Sequence, residues 1–234
     1  VELLVSLGDT SVGTIRTHSD GRNEFSFATE YLHADRRPVL GQYFEDHLTA
    51  IHRSHTRLPP FFSNLLPEGG LRELVARRAN VHTDREAELI SVLGEDLPGA
   101  VVVRRVSDLE VDVEVGPSVE DAASSQGVLR FSLAGAQLKF SVLYGAKGRG
   151  PTLPIDGKGG NWIAKLPSET YPEVPENEFA MVRWAARVGI GVPQVQLVRV
   201  GEIEHLPVNL APDRMVFLSR RFDRPDTGIR VHQE

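Results

Sequence analysis

Two oppositely charged side chains sit where they could serve phosphate chemistry. Lys165 lies in the apolar run Trp162-Ile163-Ala164-Lys165-Leu166, which reads as a strand, and Glu178 opens the helix that follows it. Upstream, Leu133-Ala134-Gly135-Ala136-Gln137 is a bend of small side chains between an expected strand at Val128–Ser132 and another at Lys139–Leu143. A polyphosphate calls for these parts. Backbone N–H groups of a tight bend can approach its oxygens. A lysine on the next strand supplies a point charge, and a carboxylate on a packed helix holds that lysine in place. Each part also has an ordinary reading. One glycine in a bend is equally a plain hairpin turn. A lysine in an apolar strand commonly snorkels to solvent, and an acid in a first helical turn complements the helix dipole. Residue chemistry alone leaves an α+β domain with nucleotide binding as one alternative.

Other constellations are weaker. His47, His52 and His55 are close enough in sequence to suggest metal ligands, but their polar surroundings favour a solvated surface. Arg72, Arg77 and Arg78 read as exposed helix residues, and Trp162 and Trp184 as core. A D-x-x-x-x-N string, Asp156 to Asn161, precedes Lys165 in a Gly-rich stretch, the wrong place for a catalytic base loop.

The elements that must position these groups follow from the patterning. Val1–Leu7, Val12–Arg16 and Glu24–Ala28 read as a small antiparallel meander turning at Ser19-Asp20-Gly21. After Pro59-Pro60 comes a buried apolar piece, Phe61–Leu66, and then a helix over Leu71–Arg78. Thr83 and Glu86 have capping-box spacing for a helix that ends at Gly94, and Ala100–Val103 is a strand. Residues 107–126 turn acidic and then small and polar, which marks a linker, with a short edge strand open at Val111, Val113 and Val115. Beyond it come the bend, the Lys165 strand, a helix Glu178–Val188 capped by Asn177, and strands at Val195–Val200 and Met215–Ser219.

Composition narrows the classes. The 234 residues are 41% hydrophobic and 25% charged, enough for a sizeable core in one large domain or two small ones. A net charge of −6 argues against wrapping nucleic acid unaided, though not against a DNA-binding partner. The absence of cysteine removes disulfides and thiolate metal sites and suits a reducing cytoplasm. No apolar run is long enough to span a bilayer, and the first residues do not form a signal peptide. Both ends read as cut: there is no initiator Met, and Val231-His232-Gln233-Glu234 resembles the middle of an element.

Several strings, in order, resemble the HipA kinase family. They are Phe61-Phe62-Ser63-Asn64-Leu65-Leu66-Pro67, Asp96-Leu97-Pro98-Gly99-Ala100-Val101, Ser132-Leu133-Ala134-Gly135-Ala136-Gln137-Leu138-Lys139, Glu176-Asn177-Glu178, Gly189-Ile190-Gly191-Val192-Pro193 and Arg221-Phe222-Asp223-Arg224. The resemblance implies an α+β chain: a small mixed N-terminal subdomain (1–106), a linker (107–126) and a protein-kinase-like N-lobe of antiparallel sheet plus helix (127–234). The C-terminal lobe, with the catalytic Asp and Asn and the Mg2+ ligands, would lie beyond this chain.

The resemblance further implies that Ala134, Gly135, Ala136, Gln137 and Lys139 lie over the ATP phosphates. Lys165 would bind those phosphates and Glu178 would position it. Arg220, Arg221 and Phe222 would form the hinge beside adenine, largely through backbone groups, while Asp223 and Arg224 could instead form a local ion pair. Ser132 matches the family's autophosphorylation serine. The implied activity is transfer of the ATP γ-phosphoryl group to a protein serine of the aminoacyl-tRNA synthetase class, in the cytoplasm, with inhibition of translation and growth. A HipB-like helix-turn-helix antitoxin would neutralise it and reach operator DNA on its behalf. The alternative is a non-catalytic lobe or split-toxin module that docks a partner subunit.

Overall fold

A computed structural model of the chain describes residues 1–111, 133, 137–144, 150–154, 159–225 and 228–232. The first sheet has five antiparallel strands in the order β4-β3-β2-β1-β5: β1 (Glu2–Leu7), β2 (Thr10–Thr17), β3 (Arg22–Phe27), β4 (His52–His55) and β5 (Val101–Arg105). Alternation makes it one-sided, because successive side chains point to opposite faces. Leu3, Val5, Ile15, Phe25, Val101 and Val103 are all buried. Gly13 has a steric reason to be glycine: a Cβ there would collide with the carbonyl oxygen of Ser26 on β3.

Helices cover the apolar face. Three are single turns, α1 (Thr29–Leu32), α2 (Gln42–Glu45) and α3 (Pro60–Ser63); α4 (Gly69–Ala79) and α5 (Glu86–Leu93) are longer. Phe62, from the Phe61–Pro67 string, is fully buried, with its ring centroid 4.8 Å from that of Phe25 in edge-on packing. Phe44 adds a third ring 5.4 Å from Phe25. Burial of each such ring stabilises the fold by about 1.5–3 kcal/mol, and the edge-on pairs add to it.

The Thr83–Glu86 capping box does not form. The N-cap of α5 is Arg85, with no side-chain cap, and Glu86 is the first helical residue. Its carboxylate is buried and accepts hydrogen bonds from Leu58 N (2.8 Å), Ser63 Oγ (3.0 Å) and Arg72 Nη2 (3.0 Å). A buried carboxylate needs several donors, and these three outcompete a local cap. Arg72 is therefore a half-buried tie between α4 and α5, whereas Arg77 and Arg78 are exposed. The helix does end at Gly94, but its φ of −62° is ordinary. Glycine is required there because a Cβ would strike the Val103 carbonyl oxygen on β5.

The histidines are not one solvated group. His52 is buried in β4 against Phe44, while His47 and His55 are exposed. His52 and His55 share a strand rather than a helix, so their spacing puts them on opposite faces. The acidic stretch opens as a helix, α6 (Val106–Val111); Val113, Val115 and the rest of 107–126 fall outside the described residues.

The second sheet has four antiparallel strands in the order β6-β7-β9-β8: β6 (Lys139–Val142), β7 (Trp162–Lys165), β8 (Val195–Arg199) and β9 (Met215–Arg220). Phe140, Val142, Trp162, Ala164, Val216 and Leu218 are buried. Helix α7 (Val174–Arg187) packs against β8 and β9. It starts a turn earlier than Asn177, because Pro175 fits the first turn, where no N–H partner is needed. Asn177 is already inside, its N–H bonded to Glu173 O at 3.0 Å. Trp184 is 63% exposed on α7, so only Trp162 of the two tryptophans is core. The strand at Val128–Ser132 lies outside the described residues. No helix among the described residues is long and apolar enough to cross a membrane.

Candidate nucleotide-facing site

Lys165 closes β7, flanked by Lys139 on β6 and Phe217 on β9 in direct register. Its ammonium lies 5.5 Å from the centroid of the Phe217 ring, within cation–π range. It pairs with the Glu178 carboxylate one turn into α7, so the lysine and the acid named from sequence do come together. Both side chains are about three-quarters buried. Burial holds Lys139 below the ordinary lysine pKa, and the neighbouring Lys165 charge lowers it further; Glu178 and Glu68 pull the other way. Two ammonium groups thus stand side by side at this edge, with Glu178 paired to Lys165 and both Glu178 and Glu68 acting on Lys139.

The bend joins this edge. Leu133 is buried, and the Gln137 side-chain amide donates to Leu166 O at 3.1 Å, which ties the end of the bend to the end of β7. Leu166 N–H donates to Leu138 O at 3.0 Å. Ser132, Ala134, Gly135 and Ala136 lie outside the described residues. Among the described residues, no group of three or more His, Asp or Glu side chains could hold a metal ion.

Arg220, Arg221 and Phe222 leave the sheet together and then diverge. Arg220 ends β9, with its N–H on Gln194 O at 2.9 Å. Phe222 is 65% exposed. The Arg221 side chain is fully buried. It grips Asp223 with two hydrogen bonds, of 3.0 and 2.8 Å, and donates to Ser141 Oγ at 3.0 Å. Arg224 binds the same Asp223 carboxylate at 2.8 Å, so the local Asp–Arg pair exists. Burial alone would raise the pKa of Asp223, but Arg221, Arg224 and the Gly99 N–H together hold it below the usual carboxylate range.

What the sequence reading missed is the fourth member of this cluster, Asp96. It comes from the loop before β5 and is completely buried. The available signal was two motif strings, Asp96–Val101 and Arg221–Arg224, each carrying charge into an apolar setting. Asn161, from the D-x-x-x-x-N string, is structural: its side-chain amide donates to Tyr144 O and its carbonyl accepts from Tyr144 N, both at 3.0 Å. Asp156 lies outside the described residues.

Comparison with known proteins gives the family. Residues 3–104 match the family model of the HipA N-terminal domain, and residues 131–234 that of the HipA-like C-terminal domain. Two proteins of Sinorhizobium fredii (strain NBRC 101917 / NGR234) are similar over almost the whole chain. One, named "Putative kinase Y4dM", is 42% identical over 98% of this chain and 57% of its own length. The other, named "Putative kinase Y4mE", is 27% identical over 95% of this chain and 55% of its own. The chain thus spans about half the length of the curated relatives it matches. A solved chain from the Shewanella oneidensis MR-1 toxin–antitoxin complex of HipA, HipB and operator DNA has the same fold, at a TM-score of 0.57 and 18% identity over 98% of this chain and 54% of that one.

Proposed function

The chain belongs to the HipA family, and on that premise we propose that it forms the ATP-facing part of a serine/threonine protein kinase, the toxin of a toxin–antitoxin pair. The observation that carries this reading is the Lys165–Glu178 pair, which bridges an inner strand of a four-stranded antiparallel sheet to its packed helix. In phosphoryl transfer the protein mainly positions groups and stabilises charge, and a helix-held lysine does both. Relatives named as kinases support the same class.

In this reading 1–106 is the N-terminal subdomain, 107–126 a linker and 127–234 a kinase-like N-lobe. Ala134, Gly135, Ala136, Gln137 and Lys139 cover the phosphates, Lys165 binds them, and Arg220, Arg221 and Phe222 border adenine through the backbone. Since the Arg221 guanidinium is committed to Asp223 and Ser141 and its N–H donates to Asn161 O at 2.9 Å, only its main-chain carbonyl is left for that task. Groups beyond 1–234 supply the catalytic Asp, the Asn and the Mg2+ ligands, consistent with relatives nearly twice as long. Phosphorylation of Ser132 switches the kinase off: about −2 of added charge beside the bend repels ATP. The substrate is a protein serine, on an aminoacyl-tRNA synthetase, and phosphorylation slows translation in the cytoplasm. A HipB-like antitoxin restrains the toxin and carries it to operator DNA, which suits the acidic balance of this chain.

Lys165→Ala in the full-length protein tests the reading. Transfer from ATP should fall by about a hundredfold or more, the scale of an electrostatic transition-state stabiliser, with the far-UV spectrum unchanged. Unchanged turnover would remove Lys165 from its role. Residues 1–234 alone, given ATP and magnesium, should transfer nothing; robust transfer would place the catalytic groups inside this chain.

A further inference from the structure

Asp96 belongs to the first sheet's side of the molecule, yet its carboxylate is where segments of the second meet. Oδ2 accepts the backbone N–H of Gly159 at 2.8 Å, in the run that leads into β7 and ends on Lys165. Oδ1 accepts from Arg224 Nη2 at 2.8 Å and lies 3.6 Å from Arg221 Nη1. The loop after Asp96 adds two backbone contacts: Gly99 N–H donates to Asp223 Oδ2 at 3.0 Å, and Gly99 O accepts from Arg224 Nη1 at 2.8 Å. Two carboxylates and two guanidinium groups thus bond to one another or to backbone, and Arg230, which donates to Glu95 O at 2.6 Å, adds a third positive charge that acts on all four.

The placement has a consequence for the ligand edge. Arg221 and Asp223 flank Phe222, and both are held by this cluster while Phe222 faces solvent. The main chain of Phe222 is therefore clamped from both sides by contacts that end on the first sheet's loop. We propose that Asp96 is a positioning residue for the base of the nucleotide: it fixes the Arg221–Asp223 backbone against which the base is read, so the N-terminal subdomain is part of the nucleotide site. This rests on the reading that residues 220–222 border adenine.

Asp96→Asn is the informative change. It keeps the shape but puts an NH2 group among N–H donors and leaves two buried guanidinium groups to one carboxylate. Affinities are measured by calorimetry on the full-length protein with ATP, and by competition with inorganic tripolyphosphate, which has no base. Asp96→Asn should weaken ATP by about tenfold or more, since small misplacements of a positioned group have effects of that size. Tripolyphosphate affinity should not change, whereas Lys165→Ala should weaken both ligands. A drop in melting temperature or binding stoichiometry with an unaltered ATP Kd would make the role of Asp96 merely structural and overturn the proposal, as would equal weakening of ATP and tripolyphosphate. A wild-type protein that binds no ATP would instead sink the kinase reading itself. Should Asp96→Asn fail to fold, Arg224→Lys cuts the same link, because an ammonium cannot bridge Asp96, Gly99 O and Asp223 together, and the same two affinities decide.

Discussion

Glu86 allows a prediction worked through from contacts. Its carboxylate is 1% exposed and joins the chain before α3, the end of α3 and α4 through Leu58 N–H, Ser63 Oγ and Arg72. Glu86→Ala removes the acceptor and leaves all three donors behind. A buried N–H without a partner costs about 1–3 kcal/mol, and stripping one member from a buried ion pair costs about 3–5 kcal/mol. These terms overlap, and Arg72, at 19% side-chain exposure, recovers part of its hydration. We expect a loss of about 4 kcal/mol, a large share of a typical 5–15 kcal/mol total. Guanidinium unfolding of the wild type, Glu86→Ala, Arg72→Met and the double variant measures it. Arg72→Met should lose less than Glu86→Ala, and the double variant should fall short of the sum by about 1–2 kcal/mol, because removing the guanidinium relieves the charge left behind. A Glu86→Ala cost below about 1 kcal/mol, or strict additivity, would refute the view that this carboxylate ties the helical layer.

Further outcomes follow from other sites. Gly94→Ala should destabilise by about 1–3 kcal/mol through its clash with the β5 backbone, read by the same unfolding curves, although its φ suits alanine. Burial holds the pKa of His52 below its ordinary value, and the charge of His47 adds to that. The unfolded chain then takes up a proton near pH 6.5 that the folded chain refuses until lower pH. Stability should therefore decline as pH falls from about 6.5 toward the folded pKa, and His52→Phe should flatten that slope in urea midpoints. ATP binding should raise the depressed pKa of Lys139, so calorimetry in buffers of different ionisation enthalpy should detect proton uptake on binding at alkaline pH.

Much of the fold was legible where the pattern is local. Leu3, Val5 and Leu7 announce β1 by alternation, and the apolar run at Trp162–Lys165 announces β7. The Lys165–Glu178 contact was legible through the order of strand and helix together with the family strings around them, since each residue alone has an ordinary reading. What escaped depends on partners far along the chain. β4 is His52-Arg53-Ser54-His55, with no apolar alternation, and only its register with β3 makes it a strand. Thr83 and Glu86 have the spacing of a local cap, but Leu58, Ser63 and Arg72 claim the acid from outside that window. Asp96 and Arg224 are 128 positions apart, beyond the reach of any periodicity. Trp184 is exposed because amphipathic spacing identifies a helix without saying which ring the core will take.

The position of β1 between β2 and β5 has a bearing on synthesis. β1 and β2 can zip as soon as both leave the ribosome, but the other edge of β1 waits for Val101–Arg105, nearly a hundred residues later. Until then an apolar strand bearing Leu3, Val5 and Leu7 has one row of backbone groups open, the kind of edge that recruits a neighbouring nascent chain. Closing it is a long-range step and therefore a slow one. Premature termination anywhere before β5 should yield a product that aggregates rather than a smaller folded unit.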